Sequence, residues 1–341
     1  MQAQSGHEVD KRFSLRWQPQ KSGVTASLRG LSAVNDRVAW ASGSGGQTLR
    51  TLDGGESWHY PRVPGADSLD FRDVEAFDAD TAYLMSAGAG EKSRIYKTVD
   101  GGRSWRLQFQ TTLPEAFFDG MAFWDREHGI AYSDPVGGKH VIVTTADGGQ
   151  TWVPVAPEHL PALHDGEYGF AASGTGICAL GPSRVWICSG GAAARIFHSS
   201  DRGKTWWVTE TPLVSGTPSS GIFSIAFRDA QNGVAVGGDH AQPQAAAGNA
   251  ARTRDGGRTW QLLAEPATVG YRSCVAYVPQ TAPPVVVAVG SHATSYSLDD
   301  GLTWTLIDTV GYHTLNFGSG KAAGWAAGAD GRVAKLHIRD E

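Results

Sequence analysis

From Leu28 to Ile338 the chain is built of short runs of β-branched, aromatic and small apolar residues, each about four to seven residues long and separated by Gly, Asp and Asn clusters. Such runs predict strands joined by tight turns. In the first third they fall at Leu28–Val34, Arg37–Ser42, Thr48–Thr51 and Ser57–Pro61, and again at Phe71–Phe77, Thr81–Ser86, Arg94–Thr98 and Ser104–Phe109. No long stretch carries the spacing of an amphipathic helix, and no run of about 18 apolar residues is present that would span a membrane.

One segment punctuates the strands. Thr51-Leu52-Asp53-Gly54-Gly55-Glu56-Ser57-Trp58 recurs with its Asp at positions 53, 100, 147, 201, 255 and 299, in the pattern [ST]-x-D-x-G-x-[ST]-W. The residue types describe a hairpin turn. The Asp carboxylate accepts backbone N–H bonds two or more residues on, and the invariant Gly suits a position with positive φ. The flanking hydroxyls close the turn, and the Trp starts the next strand with a large apolar surface. Asp53, Asp100, Asp147, Asp201, Asp255 and Asp299 are therefore read as structural. A repeat near 50 residues, each holding four strands, predicts a β-propeller.

The blades are expected at about 28–63, 69–110, 117–156, 168–211, 221–264 and 270–308. After them come three strands at 311–338 with no box. The orphan strand around Trp17 (13–18) supplies the missing fourth, so the fold class is all-β: a seven-bladed β-propeller whose N-terminal strand completes the last blade and leaves no open sheet edge. Residues 1–12 read as a flexible leader.

The repeated box resembles the Asp-box, or BNR repeat, of sialidases, sortilin-type receptors and photosystem II assembly factor-like proteins. The layout from Trp17 to Ile338, with blade openings such as Gly233-Val234-Ala235-Val236-Gly237, resembles the photosystem II stability/assembly factor-like family of seven-bladed propellers. That resemblance implies a binding or assembly role and a protein partner.

Composition narrows the classes. A net charge of −5 argues against a dedicated nucleic-acid binder. Three cysteines make no disulfide framework. Cys178 and Cys188 flank the turn at 181–183, which would set them opposite each other on neighbouring strands; they are read as buried free thiols, with a bridge as the alternative. Met1 to Arg16 is polar and has no apolar signal core. The expectation is an exported protein whose export signal is not part of this sequence, with a cytosolic start as the alternative. No cofactor motif is present, no metal spacing is read into His159, His164 and Asp165, and a monomer is expected.

In a propeller the inner strand of each blade lines the channel, and the box turns lie on the face opposite the start of those strands. The site is therefore sought at the other mouth. Aligning the inner strands gives a column that follows an apolar, mostly aromatic residue: Arg29 after Leu28, Arg72 after Phe71, Asp119 after Phe118, Arg272 after Tyr271 and His313 after Tyr312. Blades 4 and 5 align through Phe170-Ala171 and Phe223-Ser224. In ring order Arg272, His313, Arg29 and Arg72 form one cationic arc, with guanidinium forks suited to a carboxylate or phosphate. His313 is expected to be a pH-sensitive helper. The plainer alternative pairs each Arg with a local acid such as Asp73, Glu75 or Asp119. Asp134, Asp239 and His240 immediately follow inward strands on the same face and complete the candidate set. The loop from Gly237 to Ala251 is long enough to act as a lid or partner contact.

Two function classes follow. One is a non-catalytic binding module for a protein or a small anionic or glycan ligand. The other, through the sialidase resemblance, is a glycoside hydrolase, for which an Arg triad, a Tyr–Glu pair and an Asp acid are needed. Here Glu167 and Tyr168 are adjacent and would point apart along a strand, and Phe71-Arg72-Asp73-Val74 only partly matches the Phe/Tyr-Arg-Ile-Pro motif.

Overall fold

The computed structural model describes residues 13–263, 270–320 and 323–340. The leader expected at 1–12 lies outside them. The strands form seven antiparallel sheets arranged as the blades of a propeller. Blade 2 shows the pattern fully: Asp70–Ala76, Ala82–Ala87, Arg94–Thr98 and Arg106–Gln110 follow one another from the channel outwards. Blade 7 is composite. Phe13–Gln20 pairs along its whole length with Val333–Asp340, outside Gly324–Ala327 and Thr314–Phe317, as the orphan-strand argument requires.

What holds the blades together is apolar packing between them. Among the described residues, seven buried clusters sit at the seven blade contacts. Trp40 of blade 1 packs with Phe71 and Leu84 of blade 2. Trp325 and Val333 of blade 7 pack with Leu28 and Leu49 of blade 1, which closes the ring. Each inner face presents alternate strand residues to one neighbour, so the pleat itself distributes side chains between adjacent clusters. Among the described residues no helix is long and apolar enough to cross a membrane.

The six box turns are superimposable in their bonding. In the first, Thr51 Oγ1 donates to Asp53 Oδ1 (2.8 Å) and accepts from Gly55 N–H (2.8 Å), while Ser57 donates its N–H to Asp53 Oδ1 (3.0 Å) and its hydroxyl to Oδ2 (2.5 Å). The same set recurs around Asp147, Asp255 and the others. The invariant Gly has φ of 89° at Gly55 and 90° at Gly257, a region that penalises any side chain. Of the box tryptophans only Trp58 is buried. The rest are half-buried, and several lean on the preceding blade, as Trp105 does edge-on against Trp40 at 6.1 Å.

Three local features depart from the expected strands. Blade 1 keeps Leu28–Ala33, Ala39–Gly43 and Thr48–Thr51, but its outermost run is reduced to a single bridge between Arg50 and His59. Cys178 lies opposite Trp186, not Cys188, and all three cysteines are free, with Cys178 half-buried. The third feature shapes the site: the inner strand of blade 4 begins only at Ile177, and the residues before it do something else.

Candidate functional site: a plugged channel and its cationic mouth

Glu167–Tyr168 leaves blade 4 altogether and pairs with Gly190–Gly191 at the edge of blade 5. Its anchor is a buried ion pair. Glu167 accepts two bonds from Arg195 Nε (2.9 and 3.1 Å), a further short bond from the same guanidinium, and one from the Ser189 hydroxyl (2.5 Å). Arg195 opens the strand Arg195–Ser199 of blade 4, and Glu167 is its charge partner.

From this anchor residues 169–176 run into the channel as a plug that touches every other blade. Arg29 of blade 1 donates to Ala172 O (3.2 Å), and Arg72 of blade 2 to Ala171 O (3.0 Å). Asp134 of blade 3 accepts from Gly169 N–H (2.9 Å). Thr175 shares a hydroxyl bond with Ser224 of blade 5 (2.7 Å), Ser173 donates to Ser273 O of blade 6 (2.8 Å), and Thr314 of blade 7 donates to Ser173 O (3.2 Å). The sequence is small because the space is. A Cβ on Gly169 would stand 2.6 Å from Asp119 Oδ2, and one on Gly174, at φ 75°, 2.3 Å from Asp73 Oδ1. The arginines are thus satisfied in part by main-chain carbonyls rather than by Asp73, Glu75 or Asp119; the acid beside Arg72 is Asp70, at 2.8 Å.

A bulge aims the mouth residues. Against their second strands, the inner strands of blades 1, 2, 3 and 5 slip by one residue between Leu28 and Gly30, Phe71 and Asp73, Phe118 and Gly120, and Ile222 and Ser224. The extra residues are Arg29, Arg72, Asp119 and Phe223, each turned out of the ladder towards the axis. The aligned column is real for blades 1–3, and His313 joins it in blade 7. Blade 6 is different. Gly43, Gly237 and Gly290 lie in matching fashion against Ser27–Leu28, Gly221–Ile222 and Tyr271–Arg272. Arg272 therefore stands where Leu28 and Ile222 stand, one residue off the column. It is 1% exposed and donates to Tyr271 O (3.0 Å) and Ser295 Oγ (2.9 Å). Burial draws its pKa down to about 10. Arg272 is not at the mouth; Ser273 holds the place equivalent to Arg29.

Above the plug, on the face opposite the boxes, is a cavity of about 300 Å³ lined by Arg29, Arg72, His313, Phe170, Phe223, Tyr271, His240 and Ser291. Arg29 is held below its ordinary pKa by burial and by its neighbour Arg72. Burial, then Arg29, Arg332 and Arg72, lower His313 to about 4, so it is neutral from pH 5 to 8 rather than titrating there. His240 is exposed, with its ring 6.0 Å from Phe223 and edge-on. Asp239 faces its own loop, taking the Ala241 N–H (2.9 Å) and held acidic chiefly by the Ser219 hydroxyl. The 240–249 loop is anchored where Tyr271 N–H meets Pro243 O (2.9 Å).

Asp119 and Asp134 lie beneath the plug with a hydrogen bond between their carboxyls. Burial and their mutual repulsion raise Asp119 well above the carboxylate range, and burial raises Asp134 to about 6. On the box side a second cavity of about 340 Å³ is lined by Asp73, Glu75, Thr175, Tyr277 and Asn316. Burial raises both acids, Glu75 to about 7. Among the described residues no group of three or more His, Cys, Asp or Glu side chains is placed to hold a metal. The aromatic wall of Phe170, Phe223 and Tyr271 is the part that sequence reasoning missed. Phe170 and Phe223 were visible as the apolar positions of the column and were taken for spacers.

Fold and site together define a seven-bladed propeller with a peptide plug in its axis and a cationic mouth. Solved structures share this fold. "YCF48 bound to D1 peptide" superposes with a TM-score of 0.68 at 18% identity, covering 94% of this chain and 96% of that one. YCF48 from Cyanidioschyzon merolae gives 0.62 at 18% identity over 94% and 98%. The GH74 xyloglucanase of Xanthomonas campestris gives 0.64 at 15% identity, covering 95% of this chain but 55% of the enzyme. No protein-family model and no curated protein matches the chain.

Proposed function

We propose that this chain is a non-catalytic binding module of the assembly-factor type, whose channel mouth opposite the box turns receives an anionic group from a protein partner or a small ligand. One observation carries the reading. Arg29 gives one bond to the plug and Arg72 one to the plug and one to Asp70, which leaves both forks with N–H groups that have no acceptor among the described residues, at the wall of an open cavity. Cations gathered in a concavity are costly without a counter-charge, and a planar carboxylate or phosphate fits such forks. The sequence resemblance to assembly factor-like Asp-box propellers supports this reading. So does the D1 peptide bound to one structural neighbour.

The hydrolase alternative draws on the fold likeness to the xyloglucanase. Against it, glycoside hydrolysis needs two carboxyls standing apart across an open cleft, about 5 Å or more. Of the acids near this mouth, Asp70 is held by Arg72, and Asp119 and Asp134 hydrogen-bond to each other under the plug.

The test is calorimetric titration with succinate, sialic acid and inorganic phosphate at pH 7. At least one should bind, and Arg29→Ala and Arg72→Ala should each weaken it about tenfold or more, the loss of roughly one charge-assisted bond. Absence of binding by all three, or affinity indifferent to both substitutions, would remove the anion site.

A further inference from the structure

The mouth has two unlike walls. Going round the ring, blades 7, 1 and 2 contribute His313, Arg29 and Arg72. The plug and blades 5 and 6 contribute Phe170, Phe223, Tyr271 and His240 on the other side. The second wall is a built aromatic cluster. Phe170 and Phe223 stack at 3.9 Å and 12°, Tyr271 meets Phe223 edge-on at 4.8 Å, and His240 stands edge-on over both. Phe223 reaches the cavity because it is the bulged residue of its strand, the position that carries a guanidinium in blades 1 and 2.

We propose that the ligand of this mouth is an aromatic carboxylate, a single planar ring one or two carbons from its acid group. The proposal rests on the anion-binding reading and deepens it. The carboxylate lies against Arg29 and Arg72, and the ring lies against Phe170, Phe223 and Tyr271. An anion alone would leave the half-buried Phe170 ring and the exposed His240 facing water, and an apolar group alone would leave the guanidiniums bare; a molecule with both ends covers both walls. A volume of about 300 Å³ is at the small end of ligand cavities and suits one ring. A free acid, or the same group at the end of a peptide, presents this chemistry.

The experiment titrates the full chain with 3-phenylpropionate, hexanoate, phenethyl alcohol, and a tetrapeptide ending in phenylalanine beside its C-terminal amide. Binding of 3-phenylpropionate, or of the free-carboxylate peptide, should be about tenfold tighter than hexanoate, as expected for a ring stacked among rings. Phe170→Leu should erase that margin while keeping hexanoate affinity. His240→Ala, at an exposed position, should narrow the margin without touching the fold. Equal affinity for hexanoate and 3-phenylpropionate would overturn this inference and leave the anion site standing. Phenethyl alcohol or the amide binding as tightly as the acids would overturn it too, and binding by none of the acids would remove the anion site as well.

Discussion

On the box face, Asp100 and Asp147 lie in open turns, yet hydroxyl and backbone donors hold each at about 2. Along the channel, Asp134 and Glu75 are held at about 6 and about 7 by loss of water. The residue types are alike; the difference is in where the donors come from. A box carboxylate is surrounded by N–H and O–H groups of its own turn, within four residues of sequence. Asp134 depends on the plug, a segment that reaches it from another blade and offers it one backbone N–H, and Glu75 is raised by burial alone. Local satisfaction makes a rigid, repeated part. Satisfaction at a distance makes an axis whose charge state is tied to the position of one segment.

The contrast is broken most sharply at the anchor of the plug. Glu167→Ala leaves the buried Arg195 guanidinium with only the exposed Glu210, at 3.8 Å, as an acid partner and should cost about 3 kcal/mol, the low end for breaking a buried pair. Urea unfolding would measure it. If the plug is a separable element, the same variant should also weaken succinate binding at the mouth. A box substitution should behave otherwise. Asp255→Ala removes an acceptor of bonds from Thr253, Thr259 N–H and the Thr259 hydroxyl and should cost about 1–2 kcal/mol, with ligand affinity unchanged. A fall in affinity there would show that the two faces are coupled.

The gentlest lever is pH. Asp134 and Glu75 have folded pKa values above their unfolded ones, so the stability they contribute is complete below about pH 4 and is lost as pH rises through 6 and 7. The box aspartates run the other way, contributing above about pH 4 and losing it towards 2. Histidines lowered to about 4, His313 among them, add stability up to about pH 6.5, so the urea midpoint should fall from about pH 6.5 to pH 8, and Glu75→Gln should flatten that slope. A midpoint that rises over this range in the parent protein would contradict the raised values.

The box was legible because its bonds span no more than seven residues, from Thr51 to Ser57, and its geometry is forced by one carboxylate and one glycine. Ring closure by the strand around Trp17 was legible by counting strands. The column at the mouth was readable as far as its local cue held. Phe71-Arg72 and Phe118-Asp119 place the aromatic in the ladder and the next residue in the bulge. Tyr271-Arg272 mimics that cue one residue early, so a guanidinium that the pattern puts at the axis is folded inwards against Ser295. The plug gave no periodic signal. Gly169-Phe170-Ala171-Ala172-Ser173-Gly174-Thr175-Gly176 is neither strand nor turn by composition, because it is shaped by close approach to six other blades rather than by its own propensities.

The pairing of Phe13–Gln20 with Val333–Asp340 has a temporal side. As the polypeptide emerges from the ribosome, Trp17 and Leu15 have no sheet to join until some three hundred further residues have been made, since their ladder partners Leu336 and Ile338 lie that far downstream. Every other blade can zip from its own neighbours in sequence. This strand, made before the rest of the ring, must wait as a latch, and only its docking converts a string of nascent hairpins into a sealed circle.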